Sequence, residues 1–304
     1  MKGSDFHKHT TRTLLYYDIF DHPLTASELY HLFPINSMKR PTFIEALERL
    51  SSLGEIKKQN AYYHLNRNGC DLADIRLRKE KVAHRRQRIA RFVGLIIKYF
   101  PFVRGIFISG DLSKGVAGPT SDIDYVIVTE PGRLWICRAL LTLFKKIFLW
   151  NQKRYFCLNY YISSDNLFLD EHNYYTATEI AHLKPLFNFK LYLEYMNTNS
   201  WIKKYFPNFS PFAFPLQCNY RRQSNLQKVV ESIFVDVLAN RLDNYLMNVM
   251  KKIWLKRYPE YPRTLHESIF RCFPNESRAF IGNFSETILS IYHLRLRQNN
   301  LQTE

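Results

Sequence analysis

Phe107-Ile108-Ser109-Gly110-Asp111-Leu112-Ser113-Lys114-Gly115, resumed at Ser121-Asp122-Ile123-Asp124-Tyr125-Val126-Ile127-Val128, is the stretch on which the fold of this chain turns. Val103, Ile106, Phe107 and Ile108 predict a strand that stops at Ser109-Gly110, and Val126 to Val128 end a second strand in the same apolar manner. Alternation along that second strand puts Asp122 and Asp124 on one face, with Cα atoms about 6–7 Å apart from strand rise. Two carboxylates on a rigid edge suit Mg²⁺, which takes few protein ligands and completes its shell with substrate phosphates. The glycine turn ahead of them leaves backbone N–H groups to cradle an anion, and Ser113 and Lys114 add donors for phosphate oxygens. Such a set fits phosphoryl or nucleotidyl transfer, where positioning and charge neutralisation do most of the catalysis. A plain β-turn with Asp as turn former is the simpler reading of the same residues.

Apolar strand, glycine turn and Asp-x-Asp together resemble the DNA polymerase beta-like nucleotidyltransferase superfamily, over about residues 104 to 163. The resemblance matches Gly110 to the family glycine and Asp122 and Asp124 to its metal-binding aspartates. It implies two metal ions that bind the nucleoside triphosphate and activate an attacking hydroxyl. Asp111 stands where the family has serine, and an acid beside a triphosphate needs compensation by a metal or by Lys114. The third family carboxylate falls in Tyr155-Phe156-Cys157-Leu158-Asn159-Tyr160-Tyr161-Ile162, where Asn159 occupies its place. Asparagine can ligate a metal but is no base near neutral pH.

The 304 residues suffice for two domains, and 46% hydrophobic content places the chain among globular proteins. Only 10 glycines argue against a loop-rich sandwich. A net charge of +16 points to a polyanionic partner, whether nucleic acid, nucleotide or membrane surface. The five cysteines, Cys70, Cys137, Cys157, Cys218 and Cys272, form no C-x-x-C pair, and free thiols in a reducing compartment are expected. The first residues do not read as a signal peptide. The apolar run Leu134–Trp150 is broken by Arg138, Lys145 and Lys146 and is too short and too charged to span a bilayer. We expect a cytoplasmic protein with no membrane partner.

Helical periodicity over Thr10–Phe20, a capping box Thr25-Ala26-Ser27-Glu28, a helix opened by Pro41 and closed by Gly54, and a hairpin from Ile56 to Leu65 resemble a winged-helix domain. Glu45 and Glu48 on its third helix repel DNA phosphates, whereas Lys39, Arg40, Lys57 and Lys58 attract them. Ile75, Val82, Ile89 and Ile96 recur every seven residues and predict the packing stripe of a long helix over Asp71–Phe100, its other faces rich in Arg and Lys. Further helices are expected at Leu134–Trp150, at Thr176–Tyr195 with Pro185 as a kink or break, at Asn225–Tyr258 and at Ser277–Leu296. Glu179 and His182 lie near one helix face and read as satisfied surface residues, with lining of the site as the alternative, and Trp201–Leu216 reads as an irregular segment pinned by aromatics.

The expected fold is α+β: a winged-helix-like domain over 1–68, a connecting basic helix over 69–102, a small mixed-sheet nucleotidyltransferase core over 103–170, and a helical C-terminal region over 171–304. The expected activity is Mg²⁺-dependent transfer of a nucleoside monophosphate from an NTP, with ATP as the expected donor, to an acceptor that is nucleic acid, protein or small molecule. Asp122 and Asp124 would hold Mg²⁺. Ser109, Gly110, Ser113 and Lys114 would hold phosphates, with Asn159 in the third-carboxylate place. The rival expectation is a catalytically degenerate nucleotide-binding regulator whose winged helix binds DNA or a partner protein.

Overall fold

The computed structural model describes residues 3–36, 38–66, 71–150, 152, 154–212, 225–234, 236–259, 270–279 and 284–301, with backbone alone at 3, 4, 159, 226 and 279. Cys70, Cys218 and residues 213–216 of the aromatic-rich segment lie outside them.

The chain begins with α1 (Gly3–Asp18), β1 (Leu24–Thr25) and α2 (Ala26–His31). Thr25 and Glu28 close the expected capping box: the Thr25 hydroxyl oxygen accepts from the Glu28 N–H at 3.2 Å, and the Glu28 carboxylate accepts from the Thr25 N–H at 2.8 Å. Helix α3 (Arg40–Ser52) carries Pro41 in its first turn and turns Phe43, Leu47 and Leu50 inward. Strands β2 (Lys57–Gln59) and β3 (Tyr62–His64) pair antiparallel across Asn60, whose φ of +56° suits a tight turn. Strand β1 joins on the other side of β3, giving the order β1-β3-β2.

Helix α4 (Leu72–Ile97) starts at Asp71, whose carboxylate accepts the Asp74 N–H. Its buried line differs from the expected one. Ile75, Val82, Ile89 and Ile96 are half-buried on the flank, while Ala83, Ala90 and Ile97 pack inward together with Arg76 and Arg86. Alanines bring the helix close to its support, and the two arginines find acceptors there, so residue size and polar pairing outweigh the aliphatic repeat.

A second sheet has the order β7-β4-β5-β6-β9-β8. Its first strands are β4 (Val103–Ser109) and, after a helical turn α5 (Gly110–Ser113), β5 (Asp124–Thr129), paired antiparallel. Helix α6 (Leu134–Phe148) crosses over to β6 (Cys157–Ser163), parallel to β5. Then follow α7 (Tyr174–His182), β7 (Lys184–Phe187), α8 (Phe189–Thr198) and a 3-10 turn (Ser200–Lys204). The C-terminal part contains α9 (Asn225–Ser232), α10 (Asp236–Arg257), β8 (Phe270–Phe273), β9 (Glu276–Ala279) and α11 (Phe284–Gln298).

The α+β class holds, but three expectations for the second half are corrected. Of the two expectations at Pro185, the break occurs and the kink does not: the helical stretch expected over Thr176–Tyr195 is divided into α7 and α8. Pro185 itself sits in β7, at the outer edge of the sheet, where a residue without N–H costs no ladder bond. The helix expected over Ser277–Leu296 begins only at Phe284, because residues 276–279 pair with β6 and with β8 instead. The region after 171 therefore supplies three strands as well as helices. The long helix expected over Asn225–Tyr258 is two, α9 and α10, and Val229, Ile233, Val237 and Leu238 are exposed.

Strand alternation divides the interior. Phe107, Val126, Val128 and Ile162 face a core shared with α1, α2, α3, α7, α8 and α11. Ile106, Ile108, Tyr125, Ile127 and Tyr161 face the other, under α4, α6 and α10. Cys137 and Cys157 are buried free thiols, and Cys272 is a partly buried one. Among the described residues, no helix is long and apolar enough to cross a membrane.

Candidate active site

Ser109 and Asp124 lie directly opposite each other at the ends of β4 and β5. Beyond Ser109 the chain makes the single turn α5, entered at Gly110 with φ +65°. A Cβ on Gly110 would lie 2.8 Å from Asp124 Oδ2, so glycine allows both the left-handed backbone and the close approach to the carboxylate. The expected open loop over 110–113 is thus helical. The Ser113 hydroxyl donates to Gly110 O at 2.7 Å and is buried, which corrects its expected role: it closes the turn and is not presented to a phosphate. Ser109 stays at the mouth as the residue preceding the turn, with no side-chain capping bond.

Asp124 is on the face of β5 that meets α7, as alternation from Val126 requires. Asp122 precedes the strand rather than belonging to it. Ile123 between them is fully buried, donates its N–H to Arg154 O at 3.0 Å and accepts the Cys157 N–H at 3.2 Å. That tether fixes the carboxylate pair although strand pairing starts only at Asp124. Burial holds the Asp124 carboxyl above the ordinary carboxylate range; a hydrogen bond from the Cys157 thiol opposes this, while the charges of Asp122, Asp111 and Glu179 reinforce it. Like charges thus converge on one partly desolvated carboxylate, an arrangement that a divalent cation relieves.

Lys114 caps α5 and reaches Glu179 of α7, with Nζ to Oε1 at 2.6 Å and the two side chains 15% and 26% exposed. The expectation that Glu179 and His182 are surface residues is corrected. His182 is buried and shares a 2.8 Å hydrogen bond with the Tyr17 hydroxyl. Asp111 is steadied by Ser121, whose hydroxyl donates to Asp111 Oδ2 at 3.2 Å and accepts the Gly118 N–H at 2.9 Å. Arg86 donates to Pro119 O at 2.7 Å, and Arg154 donates to the same oxygen. Two guanidiniums therefore flank the segment leading to Asp122. Asn159 lies within β6, and its side chain is outside the described residues.

Among the described residues, no group of three or more His, Cys, Asp or Glu side chains is arranged to hold a metal ion. A cation here rests on Asp122 and Asp124 plus oxygens brought by a substrate. That donor set fits Mg²⁺, which is commonly held by one or two carboxylates and phosphates. Sequence reasoning singled out Gly110, Asp122, Asp124 and Lys114, and the fold brings them to one end of the sheet. It missed Cys157, Ser121 and Arg154 as neighbours of the carboxylates. Cys157 alone had a local signal, two residues before Asn159 in the same strand. No family model matches this chain, and neither a curated protein nor a solved structure matches it.

Proposed function

We propose that this protein is a Mg²⁺-dependent nucleotidyltransferase that moves a nucleoside monophosphate from an NTP, ATP in the first instance, to an acceptor hydroxyl or phosphate. The observation that carries the proposal is the close approach of Gly110 to Asp124, which sets a small-residue turn against a carboxylate at the open end of paired strands. Ser109, Gly110 and Lys114 would receive the phosphates, and Asp122 and Asp124 would hold the cation. When bound, the cation supplies charge neutralisation on the phosphates and polarises the reacting oxygens. Arg86 and Arg154 add positive potential beside Asp122, which favours approach of a polyanion. The raised Asp124 pKa supports this reading, because a carboxylate so placed gains most from a cation.

The helix and strand order of residues 1–68, with sheet order β1-β3-β2, supports reading that part as a winged helix. Its wing is poorly free for DNA: Lys58 is bound to Glu48 at 2.6 Å, and the Tyr63 hydroxyl donates to the same carboxylate at 2.7 Å. A packing or protein-contact role fits better. Asp111, whose charge adds to that at Asp124, favours the second reading, a nucleotide-binding regulator without transfer.

Incubation with labelled ATP and Mg²⁺, alone and with cell extract, separates the two. Label passing to an acceptor supports the enzyme, and tight ATP binding without transfer supports the regulator. Replacing Asp122 and Asp124 together by Asn should abolish Mg²⁺-dependent transfer. Unchanged transfer in that double variant would refute the assignment.

A further inference from the structure

Lys114 is the cation nearest in sequence to the phosphate-receiving turn, and its ammonium is already occupied by Glu179 at 2.6 Å. The pair joins two elements 65 residues apart. One partner caps α5, whose first residue touches Asp124; the other sits on α7, which packs against the sheet face that Asp124 shares. We propose that Glu179 is a displaceable counter-ion: triphosphate takes Lys114 from it, and the released carboxylate adds its uncompensated charge to that of Asp122 and Asp124 around the cation.

The inference rests on the nucleotidyltransferase reading and deepens it. The physical argument is competition for one ammonium. Asp111, Asp122, Asp124 and Glu179 outnumber Lys114, Arg86 and Arg154 around the site, and the two arginines lie on the Asp122 side, so an incoming polyphosphate meets uncompensated carboxylates at the turn unless Lys114 turns towards it. A polyphosphate offers several charged oxygens where Glu179 offers a single carboxylate, and lysine binds phosphate as a mobile point charge. Once released, Glu179 is a half-buried carboxylate without its cation, a state that costs free energy until a metal compensates it. The charge of Glu179 already bears on Asp124 while Lys114 holds it. Phosphate and metal would therefore bind with positive coupling built into the chain, beyond the chelation of metal by the nucleotide itself. A purely architectural pair, tying α7 to α5, predicts the opposite response, since cutting the tie would loosen the turn and weaken anion binding.

The test uses the full chain and inorganic tripolyphosphate in metal-free buffer, followed by Mn²⁺ titration with a non-hydrolysable ATP analogue present, read by electron paramagnetic resonance. Glu179→Gln should bind tripolyphosphate about tenfold more tightly than the wild type, and should bind Mn²⁺ in the ternary complex about tenfold more weakly. Lys114→Gln should lose tripolyphosphate binding yet bind Mn²⁺ more tightly without nucleotide, and it serves as the test if Glu179→Gln does not fold. Unchanged or weaker tripolyphosphate binding by Glu179→Gln overturns the proposal, as does unchanged Mn²⁺ affinity in either variant. If the wild type transfers nucleotide and Glu179→Gln matches it in both titrations, this inference alone fails. If the wild type binds neither tripolyphosphate nor Mn²⁺ with nucleotide, the nucleotidyltransferase reading fails with it.

Discussion

At Gly110, backbone conformation and chemistry meet in one residue. Its φ of +65° disfavours any L side chain, and its missing Cβ makes room for Asp124 Oδ2. Gly110→Ala should lower stability by about 1–2 kcal/mol through the left-handed backbone alone. The added methyl group also forces the Asp124 carboxylate to turn away, so Mg²⁺-dependent transfer should fall by about 10²-fold, the usual scale for a misplaced reacting group. Thermal unfolding and initial rates together check this, and wild-type rates in a folded Gly110→Ala protein would detach the turn from the chemistry. Gly110 and the two aspartates were legible in the sequence because their signal is local: apolar strands bracket a glycine and a fixed Asp-x-Asp spacing. Glu179 was legible only as one of two readings, because nothing in its neighbourhood marks a residue whose partner, Lys114, lies on another element. Ser113 was misread for a related reason, since a hydroxyl in a small-residue turn reads the same whether it faces a ligand or its own backbone.

Among the elements, those whose state depends on pairing were the least legible. Residues 276–279, Glu-Ser-Arg-Ala, have no strong strand preference, and pairing with β6 on one side and β8 on the other makes them a strand. Residues 184–187 are a strand for the same reason, beside β4. Helix α6 was legible from its apolar run, but what holds its first turn was not. Asp243 of α10 accepts the Ile136 N–H at 2.8 Å, so a carboxylate from another helix caps it. Burial raises the Asp243 pKa to about 6, against the opposing effect of hydrogen bonds from Ile136 and Trp135 and of the Arg133 charge. The folded pKa therefore lies above the unfolded value near 3.8. Between those values the folded chain holds a proton that the unfolded chain has released. The stabilisation from this group is complete below the lower value and is lost as pH rises through about 6, a change on the order of 2–3 kcal/mol. Asp243→Asn removes the titration. The stability difference between wild type and this variant, from urea unfolding at pH 7 and pH 5, should shift in favour of the wild type at the lower pH. A constant difference would mean that Asp243 is not titrating in this window.

For the whole molecule, the two ends of the chain share an interior. Tyr16 of α1 packs edge-on against Tyr174 of α7 and Tyr292 of α11, and Arg295 of α11 pairs with Asp18. The apolar residues of the first 68 positions thus belong to the same core as Phe107, Val126 and Leu296. Arg76 bolts this arrangement from α4: it donates to Glu28 at 2.8 Å, to Glu80 at 2.7 Å and to Pro23 O at 3.1 Å, and it also contacts His22. The helix and hairpin pattern suggested a separate N-terminal domain, because such a local pattern reveals a unit but not the surface against which it is buried. A shared core predicts one cooperative transition. The four tryptophans all lie beyond residue 134, so their fluorescence reports on the second half, while hydrogen exchange of α1 to α3 reports on the first. The two should give the same midpoint. Arg76→Ala leaves the Glu28 carboxylate, 12% exposed, without its charged partner and should destabilise by about 3–5 kcal/mol. Because the arginine ties the N-terminal part to α4, which packs into the second core, that loss should lower the two midpoints together. An N-terminal unit that loses exchange protection well before the tryptophan signal changes would mean that Arg76 and the tyrosine cluster merely join two independently stable bodies.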